Sequence, residues 1–274
     1  MSSPALDRGH VRPAALAGRW YPADAETLSA TVRDFIDAAS PPPLPDGHLR
    51  ALVAPHAGHI YSGPIAGFAF AALRRAPRRP ARAILVGPAH RVAFRGLSAG
   101  DFSRYAVPNG TFPVDRDAIA ALERDALVGF HPAAHATEHA LEILLPFLAE
   151  VTGPLPVLPL LVGAAAGADV ARALEAALRP DDILIISSDL SHFLPYDRAR
   201  TRDLGTLAAL VEDRAATLDG HDACGVRGLQ ALEALARPRG WRPTLLAYAN
   251  SGDTAGDRDS VVGYAALALT AAPA

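Results

Sequence analysis

Short, continuously apolar runs alternate along this chain with longer stretches whose apolar residues recur at helical spacing. The runs are 49–54, 81–86, 155–162, 182–186, 244–248 and 260–269. Continuity rather than in-and-out alternation is how strands buried on both faces read. Between them, helical periodicity predicts helices over about 23–39, 63–75, 115–127, 138–150, 169–178, 196–218 and 222–236. Strands alternating with helices specify an α/β fold: a single domain with a largely parallel central sheet covered by helices on both faces. The segment 96–113 reads as an edge hairpin. No repeat of fixed period and no low-complexity linker divides the 274 residues, so one domain over 13–274 is the simpler reading. Residues 1–12 read as a disordered tail.

Composition changes this picture little. The formal charge is −3, and the basic pairs Arg74-Arg75 and Arg78-Arg79 are too short for a nucleic-acid footprint. Cys224 is the one cysteine, which excludes an intrachain disulfide and suits a reducing, cytoplasmic compartment. The first twelve residues hold no apolar signal-peptide core. No apolar run approaches the ~20 residues of a membrane span. The richness in alanine, arginine and proline reads as a GC-rich bacterial genome.

The chemistry collects where the strands stop. In open α/β sheets, ligands bind outside the carboxyl ends of the strands. Three runs stop at a histidine: His56 in Pro55-His56-Ala57-Gly58, His90 in Gly87-Pro88-Ala89-His90, and His192 in Ser187-Ser188-Asp189-Leu190-Ser191-His192. One such histidine reads most simply as structural. Three at equivalent positions point to a metal or proton-transfer site, because neutral imidazole is the commonest transition-metal ligand. Asp189 lies three residues before His192. Cys224 is expected at the start of a helix, where its thiol pKa would be lowered; a small buried hydrophobe is the alternative. In Thr137-Glu138-His139-Ala140-Leu141-Glu142, Thr137 is placed to cap a helix, with His139 and Glu142 on one face. Glu138 and Glu142 then read as favourable charges at a helix start, and His139 as a group behind the ligands or an acid–base. His10, His48, His131 and His135 read as surface residues. His59 is expected in the strand-end loop, lining the pocket.

Taken together, these motifs resemble the Memo family, also called protein B of the AmmeMemoRadiSam system. The matching stretches begin with Gly18-Arg19-Trp20-Tyr21-Pro22, Ala54-Pro55-His56-Ala57-Gly58 and Gly87-Pro88-Ala89-His90. They continue with Glu138-His139-Ala140-Leu141-Glu142, Ser187-Ser188-Asp189-Leu190-Ser191-His192 and Cys224-Gly225, in family order over almost the whole chain. Ala140 replaces a serine often found in the Glu-His-Ser motif. The resemblance implies a fold similar to class III extradiol (non-haem iron) dioxygenases. It places His56 and His90 where two histidine ligands stand, Cys224 where a carboxylate ligand would be, and His192 where a catalytic histidine is kept. A His/His/Cys set implies a transition metal, iron or copper with zinc also accommodated. The implied function is metal-dependent oxygen or thiol redox chemistry, with His192 as acid–base and Asp189 orienting it. The alternatives are a non-catalytic peptide- or protein-binding module reusing a dioxygenase-like pocket, and metal-free thiol chemistry at Cys224. An unknown small molecule or peptide is the implied substrate. A radical-SAM partner protein is implied by the family grouping.

Overall fold

The structure, a computed structural model, describes residues 10–272. The chain begins with strand β1 (Val11–Arg12), helix α1 (Ala25–Ala38), β2 (His48–Ala54), α2 (His59–Arg75) and β3 (Arg82–Pro88). Three short strands follow: β4 (Leu97–Ala99), β5 (Arg104–Val107) and β6 (Gly110–Pro113). Next come α3 (Arg116–Arg124), β7 (Gly129–Phe130), α4 (Pro132–Ala136), α5 (Leu145–Thr152), β8 (Val157–Val162), α6 (Gly167–Ala177) and β9 (Asp182–Ser187). The last part holds β10 (His192–Leu194), α7 (Tyr196–Val211), α8 (Val226–Ala236), β11 (Arg242–Asn250), the short α9 (Ser251–Thr254) and β12 (Val261–Ala271).

The six apolar runs are the long strands of one sheet, ordered β10-β12-β2-β9-β3-β8-β4-β7, with β11 also pairing with β12. The four central strands, β2, β9, β3 and β8, are mutually parallel. Antiparallel pairs flank them on both sides, β12 against β2 and β4 against β8, so the sheet as a whole is mixed. Every residue of β8 and β9 is buried, which is why those runs lack alternation.

Chain order places the helices. The chain passes from β2 to β3 through α2 and on to β8 through α5, moving one way along the sheet. It then returns through α6 to β9, which slots between β2 and β3. Right-handed crossovers put outgoing and returning helices on opposite faces. Accordingly α1, α2 and α5 pack together, and α6 packs on α8. The α1–α2 approach is close because Gly67 has no side chain: a Cβ there would lie 2.4 Å from the Phe35 carbonyl oxygen. Among the described residues, no helix is long and apolar enough to cross a membrane.

Three expectations are corrected. Residues 1–9 of the expected tail lie outside the described residues, but Val11 and Arg12 form a strand parallel to β5. The 96–113 segment does contain a hairpin, β5–β6, but it belongs to a separate three-stranded sheet with β1, while β4 joins the main sheet. No helix starts at Glu138. α5 begins at Leu145, with Pro146 in its first turn, where proline is well tolerated. Thr137 is the C-terminal cap residue of α4 and opens no helix, and His139 and Glu142 share no helix face.

The physical reason lies in two inward-turned carboxylates. Glu142, fully buried, accepts from Arg12 Nη1 at 2.5 Å, from Tyr21 Oη at 2.5 Å and from the backbone N–H groups of Ala15 and Leu16. Arg12 spends its other donors on the carbonyls of Pro13, His135 and Glu138. A buried carboxylate needs this many partners to offset its desolvation. The same contacts bind residues 12–21 to the loop before α5. Arg12→Met should therefore cost about 3–5 kcal/mol, the usual penalty for leaving one member of a buried pair unpartnered. Urea unfolding checks it; a loss under ~1 kcal/mol would show that the pair does not hold the segment.

Candidate metal centre

The parallel strands end level: Ala54 of β2 pairs with Ser187 of β9, and Ile186 with Val86 of β3. His56 and His90 each follow two residues after such an end, and Asp189 two residues after the third. β9 lies between β2 and β3 although it comes later in the chain. This reversal of strand order is where α/β sheets open a crevice for ligands.

Each histidine is fixed by its Nδ1. Ser187 donates its one hydroxyl proton to the Ala140 carbonyl, so it must accept from His56 Nδ1–H at 2.7 Å. His56 is therefore the Nδ1–H tautomer, with the lone pair on Nε2. His90 Nδ1 lies 2.9 Å from Glu138 Oε1, and its backbone N–H donates to Oε2 at 2.6 Å. The His90 ring also presents a free Nε2. Hydrogen bonding at one ring nitrogen is the standard way to orient a ligating imidazole. Cys224 Sγ lies 3.3 Å from His56 Nε2. One ligand atom from each of His56, His90 and Cys224 lies within 4.8 Å of the others. His56 is buried, Cys224 half-buried and His90 exposed, so the cluster opens to solvent on the His90 side.

Cys224 precedes α8 by two residues and stands outside the helix. The approach depends on Gly225, because a Cβ there would sit 2.6 Å from the Ser187 carbonyl oxygen. Sγ accepts the Asp189 N–H at 3.3 Å. Burial and the neighbouring Asp189 charge push the thiol up to about 12. The expected lowering by a helix terminus is thus reversed: desolvation dominates in the metal-free chain.

The surrounding charges are set by the same competition. Burial would raise the Glu138 pKa, but the adjacent His139 ring and the hydrogen bonds from His90 outweigh it and hold the carboxyl far below the usual range. Glu138 also accepts the N–H groups of His139 and Ala140, which is why this stretch turns on itself instead of opening a helix. Burial raises Asp189, whose Oδ1 accepts the His56 backbone N–H at 2.7 Å. That carboxylate is thus hydrogen-bonded to the His56 segment and not to His192. Burial, with His90 and His139 nearby, lowers His56 well below its ordinary value.

The remaining site residues gather nearby. His139 stacks between His90 and Trp20, with ring centroids 4.3 and 4.6 Å away. Its Nδ1 is 3.0 Å from Glu138 Oε1 but poorly aligned for a hydrogen bond. His192 opens β10 beside Val262 of β12 and is followed by exposed Phe193 at φ 58. This left-handed conformation is strained for a side chain of that size. His59 is the first residue of α2 and buried, donating from Nε2 to the Ile143 carbonyl. His135, expected at the surface, is buried with Nε2 on the Ser98 carbonyl. Sequence reasoning missed Ser187, the anchoring role of Glu138, and Arg12. The lone Glu142 inside Leu141-Glu142-Ile143-Leu144-Leu145 was the available signal, since a charge in an apolar run requires a buried partner.

Comparison with known proteins finds a match over residues 12–268 to the family described as Memo-like protein. A MEMO1 family protein of Aeropyrum pernix is 33% identical, covering 94% of this chain and 99% of its own. Another from Ignicoccus hospitalis is 33% identical over 94% of this chain and 98% of its own. One from Thermoplasma acidophilum is 31% identical, with 93% and 97% covered. These relatives are archaeal, so the bacterial source read from composition gains no support from them.

Two outcomes follow. Substituting Glu138→Gln removes the charge that orients His90 and should weaken Zn(II) binding about 10–100-fold, measured by competition with a chelating dye; unchanged affinity would remove Glu138 from the site. Burial also lowers His59 and His135 to about 4, and lowers His56 well below its ordinary value. These histidines stay neutral in the fold while the unfolded chain takes up protons below about 6.5. Stability should therefore be present above about pH 6.5 and be lost as pH falls toward 4, by about 1.4 kcal/mol per pH unit for each histidine. Urea midpoints that stay flat over this window would contradict it.

Proposed function

The chain belongs to the Memo family, and from that premise and its strand-end geometry we propose that it is a metal-dependent redox protein. His56, His90 and Cys224 would hold the metal. One observation carries the reading: both histidines have Nδ1 committed to a partner, leaving each Nε2 open to a ligand, and one ligand atom of each lies within 4.8 Å of the other and of Cys224 Sγ. Two imidazoles and a thiolate favour copper, iron or zinc over harder ions. Bound iron or copper would supply electron transfer and oxygen activation. Zinc fits the same donors but supplies no redox change.

The chain's own residues do the rest. Glu138 keeps the His90 ring oriented and contributes negative charge behind it. Ser187 does the same for His56 without charge. Asp189 anchors the backbone of His56 and, through its N–H, the sulfur of Cys224. His192, half-buried at the start of β10, stands on the β12 side, and we assign it the acid–base role. His139, held by stacking, supports His90. A small molecule or peptide is the substrate class, and a radical-SAM protein from the same system is the partner we assign. The single cysteine supports a cytoplasmic setting.

A second reading, a peptide- or protein-binding module, draws on a different feature. A cleft of about 800 Å³ lies beside the cluster, lined by Trp20, Phe35, Ile60, Tyr61 and Tyr264. Ile60 is 65% exposed, and exposed apolar surface of this kind suits a partner.

Elemental analysis of protein purified without oxygen separates the readings. Near-stoichiometric iron or copper, lost in both His56→Ala and Cys224→Ala, is the expected result. No transition metal, even after reconstitution, would sink the redox reading and leave the binding module. With the free thiol near 12, binding a divalent ion must release the Cys224 proton, so affinity should rise about tenfold per pH unit across neutrality.

A further inference from the structure

The carboxylate expected to orient His192 is engaged elsewhere: Asp189 accepts the His56 N–H, and its own N–H meets Cys224 Sγ. A second carboxylate stands behind the His192 segment. Asp203, inside α7, is fully buried. Its Oδ1 accepts the Ser191 backbone N–H at 3.0 Å, and its Oδ2 accepts the Tyr248 hydroxyl at 2.9 Å. Gly263 of β12 makes this reach possible, because a Cβ there would lie 2.1 Å from Oδ2. The same glycine joins the segment to the sheet: its N–H donates to the Ser191 carbonyl, and its carbonyl accepts the Leu190 N–H. Thus α7, β11 and β12 converge on Ser191, the residue that leads into His192. Beyond it the ladder loosens, with a register shift between His192 and Leu194 and Phe193 at φ 58. A neutral acceptor would serve the Ser191 N–H with less desolvation than a carboxylate. A cation within reach of that buried charge is His192 when protonated.

We propose that Asp203 is the positioning residue of His192: it fixes the backbone that carries the ring and sets a negative charge behind it. The proposal rests on the acid–base reading of His192 for its purpose but not for its test. An acid–base group must keep its place while its charge changes. The Ser191 anchor supplies the first, and a buried carboxylate stabilises a cation formed in front of it. The groups that act on this carboxylate come from several elements. Ser191 and His192 act from the β10 segment, Tyr248 from β11 and the Gly263 backbone from β12. Burial pushes the Asp203 carboxyl up, while the Ser191 and Tyr248 hydrogen bonds and the His192 charge oppose that rise. Burial keeps the Tyr248 phenol neutral, and Arg200, three residues earlier on α7, acts on that phenol.

Coupling between two sites is reciprocal, so the test reads Asp203 while His192 is changed. Carboxyl-carbon NMR on the metal-free full chain gives the Asp203 titration midpoint. A protonated His192 favours the Asp203 anion, so His192→Gln should raise that midpoint by roughly half a pH unit or more. A carboxylate serving only to hold the fold would not respond. Amide exchange reads the backbone. Asp203→Ala leaves the Ser191 N–H without its acceptor and should speed exchange there by about tenfold relative to the β9 amides, the weight of one hydrogen bond. An Asp203 midpoint unmoved by His192→Gln overturns the proposal, as does unchanged Ser191 exchange in Asp203→Ala. Should Asp203→Ala fail to fold, the titration in His192→Gln decides alone. Neither measurement needs a metal. Coupling in a chain that takes up no metal would fail the redox reading and leave the Asp203–His192 pair standing. A bound metal without the coupling would do the reverse.

Discussion

The site depends on one constraint: two glutamates of a single six-residue stretch are turned inward and must be matched. Glu138 is satisfied by the ring and backbone of His90 and by two N–H groups of its own turn. Glu142 is satisfied by Arg12, Tyr21 and two N–H groups of residues 15 and 16. A helix through this stretch would use those N–H groups for its own ladder and point the carboxylates elsewhere. The irregular turn lets one loop fix three things at once: the His90 ring, the segment bearing Trp20, and His139 stacked between them. Buried pairs of this kind add little net stability compared with apolar packing. Their value here is positional, since no apolar contact could fix which ring nitrogen of His90 faces the cluster.

The same burial keeps the metal-free site low in charge. Of the groups within it, Glu138 is held firmly ionised, whereas Asp189 and Cys224 are pushed toward their neutral forms and His56 is held neutral. Assembling several ionised groups in a half-buried crevice would cost several kcal/mol. The chain avoids this by leaving the thiol protonated. A divalent ion would remove the reason for that arrangement, because its charge favours the thiolate that burial disfavours. The donor set and its desolvation are thus complementary features and not in conflict.

How much of this could be read from the sequence follows from which forces act locally. The strand runs were legible because burial on both faces leaves a continuous apolar signature, and strand ends then placed His56, His90 and Asp189. The 138–150 helix was misread because its apolar spacing is genuine from Leu141 onward, while the outcome was decided by donors 48 and 130 residues away, on His90 and Arg12. Pro146 was the local mark of the true start. Arg12 was lost to a tail reading because a two-residue strand has no periodicity to detect. The helix expected from about 222 begins at Val226, so Cys224 stands two residues ahead of it. That small error reversed the expected pKa direction, because the helix-terminus effect fades within a turn while desolvation does not.

The topology also explains why the cluster has two sides. Had β9 followed β8 at the sheet edge, the ends of β2 and β3 would have been neighbours, with no strand between them to carry Ser187 and Asp189. Its insertion separates them by two strand spacings, roughly 10 Å, and the two histidine side chains close that span to 5.2 Å between ring centroids. Ser187 and Asp189 occupy that central position, tethering His56 and, through the backbone, Cys224. Surface on either flank is then free to differ: aromatic toward β12, apolar and narrow toward β8. The asymmetry of the two approaches is therefore a consequence of strand order, and it gives one three-residue cluster two chemically distinct neighbours.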